Sequence, residues 1–367
     1  MEYLAAHGIP TLPIGYFEHP LPCVTGETTM SVWMPIKEPT TLLGSYRMRT
    51  NGCKKVGLIA SAVGVPCLPS LPCSGTSDAA FPTASPQLGA ASSDQVADAS
   101  SLRGLVVVAH GLADGPLVLA HLCERLAALG FIVAAPAFSD SANNDQTPML
   151  PFGKRFIAEQ TALRMHVLDR CIELQRRMFP SASEVLTMVG FSAGSDTIRQ
   201  MTHVDCARVY MAGPCWMGAL AGPTRPLPAA PPPAGRSLQL LTWPDNAMIR
   251  FGITKDDSSA LTGFPCPAER TLVAAERVTE KNVFARDAGA HFRVDFEPLD
   301  HSGLKYTPFR EAEYSAYAAA MCGVNPWFPC GRRTEDAAVL ELRARAVAGS
   351  ADAIVHFLLA NAEAKIT

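Results

Sequence analysis

Between Val185 and Met201 the chain passes from an apolar run, Val185-Leu186-Thr187-Met188-Val189, through Gly190-Phe191-Ser192-Ala193-Gly194, into a helix-compatible stretch, Ser195 to Met201. Few patterns constrain a fold more. A serine on a tight strand-to-helix turn leaves no room for neighbouring side chains, so small residues must flank it, and its hydroxyl is thrust out at the strand end. Three specified positions at ~7% frequency match by chance about 0.1 times over this length, so the strand before and the helix after carry the argument. The bland alternative is a serine in an ordinary glycine turn.

The rest of the chain offers a sheet to carry that turn. Leu105 to Ala109 (LVVVA) is a continuous aliphatic run with glycines on either side, as expected of a parallel strand buried on both faces. Leu117 to Leu129 has helical spacing and stops at Gly130, and Phe131 to Ala135 (FIVAA) reads as another buried strand. A second helix is predicted over about Arg155 to Met178, with Ile157, Met165, Leu168 and Ile172 on one face, ending before Pro180. Further strands are predicted at Ala207–Ala212, Leu238–Thr242 and Phe292–Pro298, and Met30, Val32 and Met34 alternate in Thr28–Pro35 as in a half-buried antiparallel strand. A last helix, roughly Glu335 to Ala364, puts Val347, Ala351, Ile354 and Leu358 on one stripe. Strands alternating with helices predict an α/β fold, a mainly parallel central sheet flanked by helices on both faces.

One catalytic domain accounts for the chain, with residues 1–65 supplying its first strands and 103–367 its core. Between them, Pro66 to Leu102 is rich in Ser, Ala, Pro and Gly and poor in large apolar residues, which predicts a disordered or loosely held insertion. Pro223 to Arg236 (PTRPLPAAPPPAGR) reads as a proline-dense surface loop. With 48% hydrophobic and 18% charged residues the chain is globular, and 31 basic against 34 acidic residues leave no field favouring nucleic acid. No apolar run approaches the ~20 residues needed to cross a bilayer, and the first thirty residues lack a basic, apolar, small-residue signal pattern. The expectation is a cytoplasmic protein, with peripheral membrane contact and protein partners left open. Eleven scattered cysteines without a Cys-x-x-Cys pair argue for reduced, mostly buried thiols, and no paired ligands at metal spacing occur, so neither metal nor cofactor is expected.

The chemistry the serine turn invites is nucleophilic catalysis, which needs a base, an acid to orient it and donors for an oxyanion. Leu112 N–H, in His110-Gly111-Leu112 after LVVVA, and Ala193 N–H would form the oxyanion hole, and His110 itself reads as structural. In chain order the triad runs serine, acid, histidine. Of His203, His291, His301 and His356, only His301 follows a predicted strand at the carboxyl edge where open α/β sheets bind ligands. Asp245, after Leu238–Thr242 and Trp243-Pro244, is the favoured acid, with Asp256 and Asp257 as rivals in a polar turn.

Taken together, these ordered motifs resemble the α/β-hydrolase superfamily outside Pro66 to Leu102. GLVVVAHGLADGPLVLAHLCERLAALGFIVAAPAFSDSANN, with Gly15-Tyr16 upstream, is most similar to the platelet-activating-factor acetylhydrolase group and its dienelactone-hydrolase and cutinase relatives. The resemblance implies a calcium-independent serine esterase acting on short or oxidised acyl chains of phospholipids, or on small carboxylic esters. The eukaryotic acetylhydrolases carry their acid after the strand that follows the serine. Here that strand, ARVYMA, runs into Gly213-Pro214 without a carboxylate, so the acid falls one strand later, at Asp245. A lipase or thioesterase would use the same machinery, and a catalytically silent binding scaffold is the rival from another class.

Overall fold

Strand β7 (Gly104–Ala109) is apolar on both faces and lies inside a large mixed sheet, where every one of its residues is buried. The computed structural model describes residues 11–24, 26–38, 41–50, 77–85, 87–112, 114–141, 156–213, 235–243, 271–280, 283–284, 290–301, 303–312 and 337–366. The first two strands form an antiparallel hairpin, β1 (Ile14–Cys23) and β2 (Gly26–Pro35), and β2 runs antiparallel to β8 (Phe131–Pro136). From there the sheet is parallel. Strand β8 pairs with β7, β7 with β9 (Leu186–Phe191), β9 with β10 (Ala207–Met211), β10 with β11 (Ser237–Thr242), and β11 with β13 (His291–Phe296). A short strand, β12 (Thr271–Val273), flanks β13 at the edge. The spatial order β1, β2, β8, β7, β9, β10, β11, β13 is that of the α/β-hydrolase fold, with the serine turn after the fifth of these eight strands in chain order.

The period-two alternation of the strands sorts the core into two layers. Val106 and Val108 face one layer, with α1 (Ala120–Ala128) and the terminal helix α4 (Ala337–Ile366) packed over it through Leu122, Leu126, Ile354 and Leu358. Leu105, Val107 and Ala109 face the other, covered by α2 (Phe156–Met178) through Leu168 and Ile172 and by α3 (Ala193–Gln200) through Ile198. Each fully buried Val or Leu side chain contributes about 1.5–3 kcal/mol. Among the described residues no helix is long and apolar enough to cross a membrane.

Two expectations change. Strand β2 is buried on both faces, not one: Met30, Val32 and Met34 join one layer and Trp33 the other, because α1 and Tyr46 cover the Trp33 face as well. The insertion holds regular structure from Ser77 onward. Strand β5 (Ser77–Pro82) pairs with β4 (Ser45–Thr50), and β6 (Leu88–Ala90) pairs with β1 and with β3 (Thr41–Leu42). Two apolar anchors, Phe81 and Leu88, are buried, and the small residues around them permit close backbone approach. A side chain on Gly15 would stand 2.5 Å from Ala91 Cβ. Averaged composition hid these anchors. Residues 66–76, and residues 223–234 of the proline-dense loop, lie outside the described residues.

Candidate active site

Ser192 follows β9 in a conformation that L-residues avoid, φ 53° and ψ −121°, of a kind that costs of order 1–3 kcal/mol. Its surroundings over-determine it. Ser192 N–H donates to Met211 O at 2.9 Å, and Ser195 Oγ donates to Gly190 O at 2.7 Å. A Cβ on Gly190 would lie 2.6 Å from the Gly194 carbonyl group, and one on Gly194 only 2.0 Å from Ala109 O. Those glycines let the turn press against the end of β7, where His110 and Gly111 begin the next loop.

That loop is gripped from below. Arg164, on α2 and wholly buried, donates through Nη1 to His110 O at 2.8 Å and through Nη2 to Gly111 O at 2.9 Å. Its Nε and Nη2 also hold Asp140 at 3.0 and 2.5 Å. Burial alone would raise the Asp140 carboxyl, but the guanidinium outweighs it and holds the carboxyl below its ordinary range. Phe138 N–H donates to His110 Nε2 at 3.3 Å, which places the His110 proton on Nδ1, where it donates to Gly111 O at 2.7 Å. Burial, and then the Arg164 charge, push this imidazole down to about 4, so it is neutral.

His301 stands on the loop after β13, and its Nε2 lies 2.8 Å from Ser192 Oγ across 109 residues of chain. The loop is fastened at several points. Leu299 N–H donates to Trp243 O at 2.9 Å, Trp243 N–H to Phe296 O at 3.1 Å, and Arg343 on α4 holds Asp300 at 2.8 Å. Lys305 pairs with Asp114 of the His110 loop, both nearly buried. A Cβ on Gly111 would meet Asp114 Oδ2 at 2.3 Å and Ser192 Cβ at 3.2 Å, so the Asp114 carboxylate and Ser192 flank one glycine. The other histidines stand apart: His203 pairs with Asp169 on the surface, His291 contacts Ser237 at the opposite end of the sheet, and His356 lies within α4.

Leu112 follows Gly111 in the turn, and Ala193 is the first residue of α3, directly after the serine. Asp245, Asp256 and Asp257 lie outside the described residues. Among the described residues, no group of three or more His, Cys, Asp or Glu side chains is arranged to hold a metal ion. Cys123, Cys171 and Cys206 are buried and form no disulfide.

No protein-family model matches the chain, and no curated protein does. Solved structures similar to it include the acylaminoacyl peptidase of Pyrococcus horikoshii, at 11% identity over 85% of this chain, with a TM-score of 0.43. The chain spans 41% of that peptidase. An α/β serine hydrolase of Xanthomonas campestris is 13% identical over 88% of this chain and 99% of its own, with a TM-score of 0.38. A ferulic acid esterase from Streptomyces cinnamoneus is 13% identical over 93% of this chain and 88% of its own, with a TM-score of 0.43. The architecture itself stands on the strand order and the serine turn.

Sequence reasoning overlooked four residues at this site: Asp114, Asp140, Arg164 and Lys305. A signal existed for one. Arg164 lies four residues before Leu168 on the apolar stripe of its helix, where a guanidinium is misplaced unless something buried needs it.

Proposed function

We propose that this chain is a serine hydrolase of carboxylic esters, with Ser192 as nucleophile, His301 as general base and Asp245 as the acid that orients it. The observation that carries this reading is the 2.8 Å approach of His301 Nε2 to Ser192 Oγ, at a serine held in a strained turn. As Oγ attacks the ester carbonyl, Nε2 takes its proton, and the oxyanion accepts hydrogen bonds from Leu112 N–H and Ala193 N–H. Collapse breaks the carbonyl–alkoxide bond, and the leaving oxygen takes the proton back from His301. Water then repeats the sequence on the acyl-enzyme, releasing acid and restoring Ser192. The sequence resemblance directs the substrate toward short-acyl phospholipids of the platelet-activating-factor type or small esters.

The test is labelling of the purified protein with a fluorophosphonate probe and peptide mapping, beside hydrolysis of p-nitrophenyl esters from acetyl to long-chain. Labelling at Ser192, with turnover falling as the acyl chain lengthens, is expected. Folded protein that neither labels nor turns over any ester would refute the reading and leave a silent binding scaffold. A preference for long chains would keep the hydrolase and replace the substrate class.

A further inference from the structure

We propose that Arg164 is a positioning residue for the oxyanion hole: by gripping the Gly111 carbonyl it aims the Leu112 amide at the reacting oxygen. The inference rests on Leu112 serving in the hole, as above. Its physical basis is the planarity of the trans peptide, in which the carbonyl of one residue and the N–H of the next point in opposite directions. Whatever fixes Gly111 C=O therefore fixes Leu112 N–H. Arg164 Nη2 donates to that carbonyl at 2.9 Å, and His110 Nδ1 adds a second donor at 2.7 Å. Nη1 holds the preceding carbonyl, His110 O, at 2.8 Å, so two consecutive peptides are pinned by one rigid fork.

The fork is itself immobilised. Asp140 accepts from Nε and Nη2, and the guanidinium carbon lies 4.5 Å over the Phe138 ring. A charged donor on a carbonyl also polarises the peptide, strengthening the N–H as a donor on the far side. Stability alone does not explain the pair, because burying two charges is expensive and well-packed apolar groups commonly serve as well. What apolar groups cannot do is hold two carbonyls in a set orientation.

The test compares wild type with Arg164→Lys and with the double variant Arg164→Met/Asp140→Leu, which replaces the pair by apolar groups and leaves no buried charge unpaired. Turnover and KM on p-nitrophenyl acetate are measured together with the inhibition constant of an aryl boronic acid, whose tetrahedral adduct places an oxygen in the hole. The expected result is kcat lower by on the order of 10² in the double variant, KM within about twofold, and boronate affinity falling with kcat. Arg164→Lys retains the charge but cannot serve two carbonyls and two carboxylate oxygens, and falls between. Wild-type kcat in a folded double variant, or in Arg164→Lys should the double variant not fold, overturns the proposal and leaves the esterase reading standing. So does a kcat loss without loss of boronate affinity. A wild type inert to every ester and to the fluorophosphonate overturns both.

Discussion

His110 offers a test of the buried network that needs no substrate. Its imidazole is pushed down to about 4 from the ordinary 6.5 by burial and then by the Arg164 charge. The depressed value makes the folded state the poorer proton acceptor. Above pH 6.5 the ring is neutral in both states and its full contribution is present. As pH falls through 6.5 the unfolded chain takes up a proton that the folded chain refuses, and stability drops until the folded ring titrates near 4. At 1.36 kcal/mol per pKa unit the whole shift corresponds to about 3 kcal/mol, of which about 2 kcal/mol is lost between pH 7 and pH 5. In His110→Asn the side-chain amide keeps an N–H near the Nδ1 position for Gly111 O but does not titrate. The acceptor for Phe138 N–H is lost, so the variant is expected to be about 1–3 kcal/mol less stable at pH 7. Urea unfolding of both proteins at pH 7 and pH 5 cancels every other titrating group in the difference. The gap between them should narrow by about 2 kcal/mol at pH 5. Parallel pH dependences would show that the ring is not held neutral, and the proton assignment on Nδ1 would fall with it.

Ser192→Ala should lower ester turnover by on the order of 10⁴ to 10⁶ with the urea midpoint little changed; near-wild-type turnover sinks the mechanism. For Asp245→Asn the expected loss in kcat is on the order of 10⁴, against a few-fold at most for Asp256→Asn, and the reverse ranking in steady-state assays would move the acid to the polar turn. Phe81, packed against Tyr46, Tyr306 and Phe309 at centroid distances of 5.5, 6.1 and 5.6 Å, should cost about 3–5 kcal/mol when cut to Ala. A loss under half a kcal/mol in urea unfolding would return this part of the insertion to a loose attachment. Lys305→Met strands the Asp114 carboxylate and should cost about 3–5 kcal/mol, most of it recovered when Asp114→Leu is added. Unfolding midpoints of the single and double variants decide the point.

The parallel strands and the serine turn were legible because each is dictated locally. LVVVA, FIVAA and LTMV are apolar runs that bury along their length, and glycines at 190 and 194 have no substitute where Cβ atoms would overlap backbone. His301 was legible through topology, standing after the last long strand at the edge where Ser192 emerges. What sequence periodicity could not show was pairing between distant segments. Nothing near Phe81 in the chain says that Tyr306 and Phe309 await it more than two hundred residues later. The burial of the second face of β2 also depends on what packs over it, Tyr46 and α1, not on its own pattern. Charged residues were overlooked for the same reason: Arg164, Asp114 and Lys305 look like surface groups until the fold supplies their counter-charges.

Those charges divide the labour of the site. Strand ladders fix β7, β9 and β13 but end where the chemistry begins, so each loop at the carboxyl edge needs its own fastening. Arg164–Asp140 pins the carbonyls of the His110 loop from beneath, Lys305–Asp114 ties that loop to the one bearing His301, and Arg343–Asp300 ties the His301 loop to the terminal helix. Apolar packing would supply comparable stability, yet it is non-directional and would let the loops slide by fractions of an ångström. Hydrogen-bonded ion pairs resist that sliding. Gly111 shows why it matters: with Asp114 Oδ2, the Phe191 ring and Ser192 Cβ all crowding the place of its missing side chain, the turn bearing the proposed oxyanion donor and the proposed nucleophile share one point of contact. Loosening any of the three tethers therefore disturbs the distance between Ser192, His301 and Leu112, and catalytic loss should exceed what the change in global stability predicts.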